Sequence, residues 1–460
     1  MAKANSREIF ENMPVLKAIK TMAIPTIFTQ IIILIYNLAD TFFIGKTNNP
    51  YMVAGVSLIL PLFNICACIF CLTGVGGGAL VSRLLGQNRE NEAKKVCAFC
   101  FYLSIVISVI FSLLFLIFLH PILNIIGASE NTYIYAKQYA LCVIVFGAIP
   151  TVLSNVMSNL LRSVGLSREA GFGITLGGLL NIALDPLFMF VIMPQGYEIL
   201  GVGIATLLSN CASCAYFLAV SLKIKNQYVI NYGIKNILPE KDSVLSVFNV
   251  GIPSALSVLL FDLDYIVIDK LMASYHDIAM AAIGIVLKAE RLPLNVGIGI
   301  CQGMMPIIGY NFSAKNQKRI DDTVKYSLFI GLIVSAVSIV LYELSAHFII
   351  KAFISEAKTL ALGTNFLRIR ILATPLMFVS FFVVHVFQAF GEGNLALFLG
   401  VVRWLVLNIP MLYLLNFLFG MYGIVWAQVC ADIFTVVLSY GVYFKYQKNL
   451  KAKECKITCN

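Results

Sequence analysis

Long apolar runs, each closed by a short polar stretch, recur from one end of the chain to the other. A membrane-crossing helix needs about 20 predominantly apolar residues, and each run reaches that length. The pattern predicts twelve spans, at 16–44, 51–82, 96–119, 134–160, 171–193, 199–222, 244–272, 280–310, 323–350, 362–390, 395–419 and 421–446. Several are longer than a bilayer is thick, so tilt or kinking is expected. The fold class is an all-α polytopic membrane protein.

The runs also repeat. Gly251-Ile252-Pro253 opens the seventh much as Ala23-Ile24-Pro25 lies early in the first. Gly309-Tyr310-Asn311 follows the eighth as Gly86-Gln87-Asn88 follows the second. Phe387-Gln388-Ala389-Phe390-Gly391 echoes Leu161-Arg162-Ser163-Val164-Gly165, and Gly423-Ile424 echoes Gly203-Ile204. The members of each pair stand roughly 220 to 230 residues apart. Six spans per half means both halves enter the membrane the same way, a parallel repeat about an axis along the membrane normal. The expected organisation is two pseudo-symmetric six-helix lobes, 1–222 and 244–446, a cytoplasmic link at 223–243 and a cytoplasmic tail at 447–460.

Composition agrees. Of 460 residues, 60% are hydrophobic and 12% charged, against roughly 25% charged in soluble domains. Such a chain cannot cover a water-facing surface, so its outside meets lipid. The formal charge is +10, but its location rules out a nucleic-acid groove. Lys3, Arg7, Lys17 and Lys20 precede or open the first span; Arg83, Arg89, Lys94 and Lys95 fill the second loop; Arg162 and Arg168 mark the fourth. Lys223, Lys225, Lys235 and Lys241 mark the sixth, Lys315, Lys318, Arg319 and Lys325 the eighth, and Lys445 to Lys456 the tail. Alternate loops hold little beyond Lys46, Lys270, Lys351 and Lys358. By the positive-inside rule both termini face the cytoplasm, which fits a bacterial cytoplasmic membrane. Residues 1–14 are polar and lack the apolar core and cleavage site of a signal peptide.

The twelve cysteines lie mostly inside apolar runs and read as small packing residues. Cys455 and Cys459 in the tail give no metal or redox signature. Gly74-Val75-Gly76-Gly77-Gly78 has no following Lys-Ser/Thr, so it is not a phosphate loop; mid-span, it reads as close helix packing. Four scattered histidines make no metal site, and no nucleophile–base set appears. An enzyme is not expected.

Buried charge is the remaining signal, because an ionisable group inside a span is costly and usually functional. Asp40 lies near the outer end of the first span, with Asn37 beside it and Tyr36 at i−4, on its own face. Asp185 lies within the fifth, with Asn181 at i−4. Pro186 cannot donate to the carbonyl of Ile182, so that oxygen is also free. A carboxylate, an amide and a spare carbonyl at one depth suit a proton, a sodium ion or a cationic substrate group. Tyr139 of the fourth span and Thr206 of the sixth could complete the pocket. Pro25 and Pro150 add kinks, and Pro25 and Pro186 are candidate hinges. Tyr36 and Asn37 in the first half, and Asp262, Glu290 and Gln302 in the second, are weaker substrate-cavity candidates. Asp262 and Asp264 stand about 200° apart on a helix and cannot serve one site. Lys288 and Arg291 make a structural ion pair with these acids an equal reading. Arg368, Arg370 and Arg403 are embedded without evident purpose.

These motifs resemble the multidrug and toxic compound extrusion (MATE) family, in its MepA-like branch, over essentially the whole chain. The resemblance rests on Pro25, Asp40-Thr41-Phe42-Phe43-Ile44-Gly45, Gly76-Gly77-Gly78-Ala79 through Ser82-Arg83-Leu84-Leu85-Gly86, Asn181 to Asp185-Pro186, Gly203-Ile204-Ala205-Thr206 and the internal repeat. It implies two six-helix lobes, and export of small cationic amphiphiles by a monomer in exchange for H⁺ or Na⁺, without a cofactor. It also implies an N-lobe coupling site at Asp40, Tyr139, Asn181, Asp185 and Thr206. One branch has a second cation site with acids on the seventh and tenth helices. Asp262 could match the first, but span 362–390 has no Asp or Glu. A rival expectation is a lipid-linked oligosaccharide flippase of the same superfamily, which would put Arg368, Arg370 and Arg403 in a cationic cavity.

Overall fold

The structure, a computed structural model, describes residues 6–225, 227–234 and 237–458. Lys3, Lys235 and Cys459 lie outside them, as do the side chains of Lys451, Lys453, Cys455 and Lys456. Among the described residues the regular elements are all helices, and the predicted spans all appear. The first six are α1 (Val15–Gly45), α2 (Pro50–Gly86), α3 (Glu90–Ile117), α4 (Glu130–Phe146 with Ala148–Ser163), α5 (Ser167–Ile192) and α6 (Glu198–Ile224). The second six are α7 (Lys241–Ala273), α8 (Asp277–Ser313), α9 (Gln317–Lys351), α10 (Ala357–Ile371 with Thr374–Phe390), α11 (Gly393–Phe419) and α12 (Met421–Leu450).

Proline chemistry shapes the irregular helices, and it does so twice over. Pro150 has no N–H for the carbonyl of Phe146, and α4 bends by 47° at Gly147, between those residues. Pro375 likewise leaves the carbonyl of Ile371 unpaired, and α10 bends by 46° there. The fourth helix of each half thus carries the same bend at the same place. The fifth helix of each half carries a π-helical stretch beside a proline: Phe188–Ile192 after Pro186, and Val402–Asn408 before Pro410. By contrast α1 runs unbroken through Pro25, whose carbonyl accepts a bond from Thr29 Oγ1 at 2.8 Å.

Contacts group the chain into two compact units. The first comprises Met1–Leu259, Gln302–Val324 and Gln388–Gly393. Its core is apolar and small-residue rich, with Val81, Val96, Cys97, Cys100, Val156 and Leu160 all buried. The glycine run of α2 packs as its sequence implies. A Cβ on Gly77 would strike Cys100 Sγ, and one on Gly76 the carbonyl of Val247. The ten described cysteines are free thiols. A short helix at Glu8–Asn12 pegs into this unit: Phe10 is fully buried, Asn311 donates to its carbonyl at 3.0 Å, and Tyr310 Oη bonds Glu11 at 2.5 Å. The link to α7 is held as well. Tyr232 stacks on Phe101 at 4.3 Å, and Arg89 pairs with Glu240 at 2.6 Å.

The second unit comprises Leu260–Cys301, Lys325–Phe387 and Asn394–Asn460. Its core joins Ile268, Ile283, Val286, Phe366, Leu412 and Val425. It is threaded by buried ion pairs, described below, whereas the Arg89–Glu240 pair of the first unit is exposed.

Candidate functional site

The fifth helix is built to be approached closely. A Cβ on Gly171 or Gly178 would meet the Pro25 carbonyl or Ile32 of α1, and one on Gly173 or Gly177 would meet Phe217 or Ser213 of α6. Small residues let helix backbones come together in a membrane, and here they draw α1 and α6 onto α5. The polar residues of three helices therefore meet at one depth. Asn181 Nδ2 donates to Asp185 Oδ1 at 3.1 Å and to Thr206 Oγ1 of α6 at 3.3 Å. The Asp40 carboxyl of α1 lies within hydrogen-bond reach of Asp185. Tyr139 of α4 is buried and interacts electrostatically with both carboxyls and with Tyr36. Tyr36 hydrogen-bonds Asn37 and lies beside Asp40. The five residues Asp40, Tyr139, Asn181, Asp185 and Thr206 are thus brought together.

This cluster holds more acceptor oxygens than donors to meet them. Asp185 is fully buried, and its Oδ2 has no hydrogen-bond partner, nor have Asp40 Oδ1 and Asn181 Oδ1. Two carboxyls side by side in an apolar helix bundle are favoured sharing one proton, or both ionised around a cation. The arrangement can therefore bind one positive charge, and lose it when another cation takes its place.

Gln302 of α8 is half-buried and bonded to side chains of two other helices. Its Oε1 accepts from Gln30 of α1 at 3.1 Å and from Arg162 of α4 at 3.3 Å.

In the second unit the embedded charges are mostly spent on each other. Glu290, for which a structural ion pair and substrate contact were equal expectations, is in an ion pair: Arg370 of α10 clamps it through two bonds of 2.7 and 2.8 Å. Arg291 lies over the rings of Tyr265 and Phe261, at 5.2 and 5.9 Å from their centres. Arg403 bonds Asp432 at 3.0 Å while lying over the rings of Phe381 and Trp404, at 4.5 and 4.3 Å from their centres. Arg368 reaches the exposed Glu343 at 3.5 Å. Hence none of the three arginines forms a free cationic cavity. Of Asp262 and Asp264 on α7, Asp264 is the buried one, at 2% exposure, and accepts from Asn408 at 2.6 Å; Asp262 is half-buried. Asn408, Gln428 and Asp432 continue the chain of bonds, with Gln428 donating to Asp432 at 2.6 Å. The only hint of this network in the sequence was the i,i+4 spacing of Gln428 and Asp432.

A membrane protein of two repeated six-span halves, with a carboxyl pair enclosed in the first, has the build of a transporter. The MatE family model matches residues 25–187 and, again, residues 253–414, once in each half, and the chain belongs to this MATE family. Among curated relatives it is similar to the multidrug export protein MepA of Staphylococcus haemolyticus, 27% identical over 449 residues and covering 97% of both chains. It is also similar to MepA of Staphylococcus aureus, 29% identical over 426 residues and 92% of both chains. A solved outward-facing structure of a multidrug resistance MATE family transporter of the MOP superfamily has the same fold, with a TM-score of 0.91 at 22% identity over 97% of this chain and 99% of that one.

Proposed function

We propose that this protein is a secondary exporter of small cationic amphiphiles that exchanges them for H⁺ by alternating access of two lobes, 1–222 and 244–446. The Asp40–Asp185 pair is the coupling site. The observation that carries this reading is the pair itself: two carboxyls in hydrogen-bond reach, one fully buried, each with an oxygen lacking a partner. Ionised, the pair attracts an organic cation from the cytoplasm or inner leaflet. A proton arriving from outside removes that attraction and the cation leaves. Two carboxyls so close fit a shared proton better than a sodium ion, which the test includes. Tyr139, Asn181 and Thr206 orient the pair. The exporter acts as a monomer, needs no cofactor, and sits in the bacterial cytoplasmic membrane with both termini inside. A flippase of lipid-linked sugars is disfavoured, because Arg370 and Arg403 are neutralised by Glu290 and Asp432.

Inverted vesicles loaded by a fluorescent cation provide the test, driven in turn by a pH gradient and by a sodium gradient. Uptake should follow the pH gradient. Asp185→Asn keeps the size and the bond to Asn181 but cannot trade a proton, and should lower gradient-driven uptake at least tenfold. Wild-type transport by Asp185→Asn would sink the reading; uptake that follows sodium alone would move the coupling to Na⁺.

A further inference from the structure

Arg162 closes α4 with its side chain turned inward, at 6% exposure. Its partners are all neutral. Nη1 donates to Asn159 Oδ1 and to Gln302 Oε1, both at 3.3 Å, and Nη2 stands 3.5 Å from Ser158 Oγ. Nε has no partner at all. Among the described residues no carboxylate pairs with it. A buried guanidinium is normally paired, since an uncompensated interior charge is costly.

The edge left uncommitted is informative. A guanidinium grips a carboxylate or phosphate through two parallel N–H groups. This protein does so twice, each time with Nε and Nη2: Arg370 on Glu290, and Arg403 on Asp432. In Arg162 that same edge has no strong acceptor. The repeat gives a second argument. The position matching Arg162 in the other half is Gln388, also buried, whose amide donates to Ser254 Oγ at 3.0 Å. The fold thus needs a long polar side chain at that place but not a positive charge. The charge at Arg162 is an addition peculiar to the first half.

We propose that the Nε–Nη2 edge of Arg162 is a binding site for an oxyanion, a carboxylate or phosphate group, with Asn159, Ser158 and Gln302 as its neutral surround. Gln302 Oε1 is shared between Arg162 and Gln30, so it occupies the guanidinium with a neutral oxygen that a charged one would displace. The group could belong to a zwitterionic substrate, whose cationic end suits the carboxyl pair proposed above, or to an anionic lipid headgroup. The first source rests on the export reading; the site itself does not.

The test uses the full-length protein in nanodiscs and needs no ion gradient, so it stands even if the antiport reading fails. Rhodamine 110 carries a carboxylate, and rhodamine 123 is its methyl ester. Their Kd values are measured by fluorescence polarisation in phosphatidylcholine discs, for wild type, Arg162→Gln and Arg162→Lys. The melting temperature is measured with and without added phosphatidylglycerol. Arg162→Gln borrows the side chain that the matching position of the other half already holds. If a substrate carboxylate is the ligand, it should weaken rhodamine 110 at least tenfold more than rhodamine 123, the scale of a lost charge-assisted pair. Arg162→Lys, which keeps charge without the fork, should fall between, and carries the test alone should Arg162→Gln not fold. If a lipid phosphate is the ligand, the rhodamine ratio stays fixed and the variant loses the phosphatidylglycerol-dependent rise in melting temperature. A variant that changes neither the ratio nor the lipid response overturns the proposal.

Discussion

Arg370 and Arg403 carry full charges into apolar helices, and each is met by a carboxylate at hydrogen-bond distance. Removing one partner of such a pair leaves the other charge buried alone, at a cost of about 3–5 kcal/mol, whereas replacing both with apolar residues is often neutral. Glu290→Gln should therefore destabilise the protein by about 3 kcal/mol, and the double variant Glu290→Leu/Arg370→Met should recover most of that. Thermal unfolding of the purified variants checks both; equal loss in the single and double variants would mean the cost is packing, not charge. These pairs could not be read from the sequence. Arg370 and Glu290 stand 80 residues apart and Arg403 and Asp432 29 apart, and no local rule links such positions. Asp185 and Asn181 were legible because one helical turn puts them on one face. The sequence could tell that Asp262 and Asp264 point apart, but not which of them points inward, since that depends on what packs around α7.

At the scale of elements, the bends of α4 and α10 follow from Pro150 and Pro375, yet only the first was anticipated. Helix propensity gives the existence of a span, and the proline rule gives where a carbonyl goes unpaired; how far the helix then bends depends on its neighbours. The peg at Glu8–Asn12 was invisible, because it is short, polar and held from afar. Arg319 Nη2 donates to the carbonyls of Ile9 and Met13 at 3.0 and 2.7 Å, and bonds from a charged donor contribute about 1.5–3 kcal/mol each. Arg319→Ala should release the segment. Hydrogen exchange should speed up at least tenfold over residues 8–13 and stay unchanged in α10 to α12. Unchanged protection at 8–13 would show that Phe10, fully buried and 5.3 Å from the Tyr310 ring, holds the peg by packing alone.

For the whole molecule, number and direction of spans are tied together. The apolar runs are long enough to be counted from the sequence, and prolines at matching positions record the duplication: Pro25 with Pro253, Pro150 with Pro375, Pro186 with Pro410. The glycine run of α2 signalled a close approach, but not that the start of α7 would be the partner, because the contact is made by backbone against Gly76 and Gly251 and leaves no patterned side chain on α7. An even number of spans in each half forces both termini to one side, and the proposed orientation puts that side in the cytoplasm, where the basic loops would be held by the positive-inside rule. Green fluorescent protein exported in unfolded form stays dark, so fusions read the side directly. A fusion after Asn460 should fluoresce. A fusion truncated after Asn48, following one span, should be dark, and one truncated after Asn88, following two, should be bright again. The loop at 46–48 holds Lys46 alone, whereas residues 83–95 hold Arg83, Arg89, Lys94 and Lys95; at about 1 kcal/mol per basic group near an anionic leaflet, that asymmetry is enough to fix the hairpin. A dark full-length fusion beside a bright Asn88 fusion would mean that one bent pair, α4 or α10, fails to cross. Inverted brightness throughout would reverse the orientation and, with it, the side from which Asp185 would take a proton in the proposed exchange.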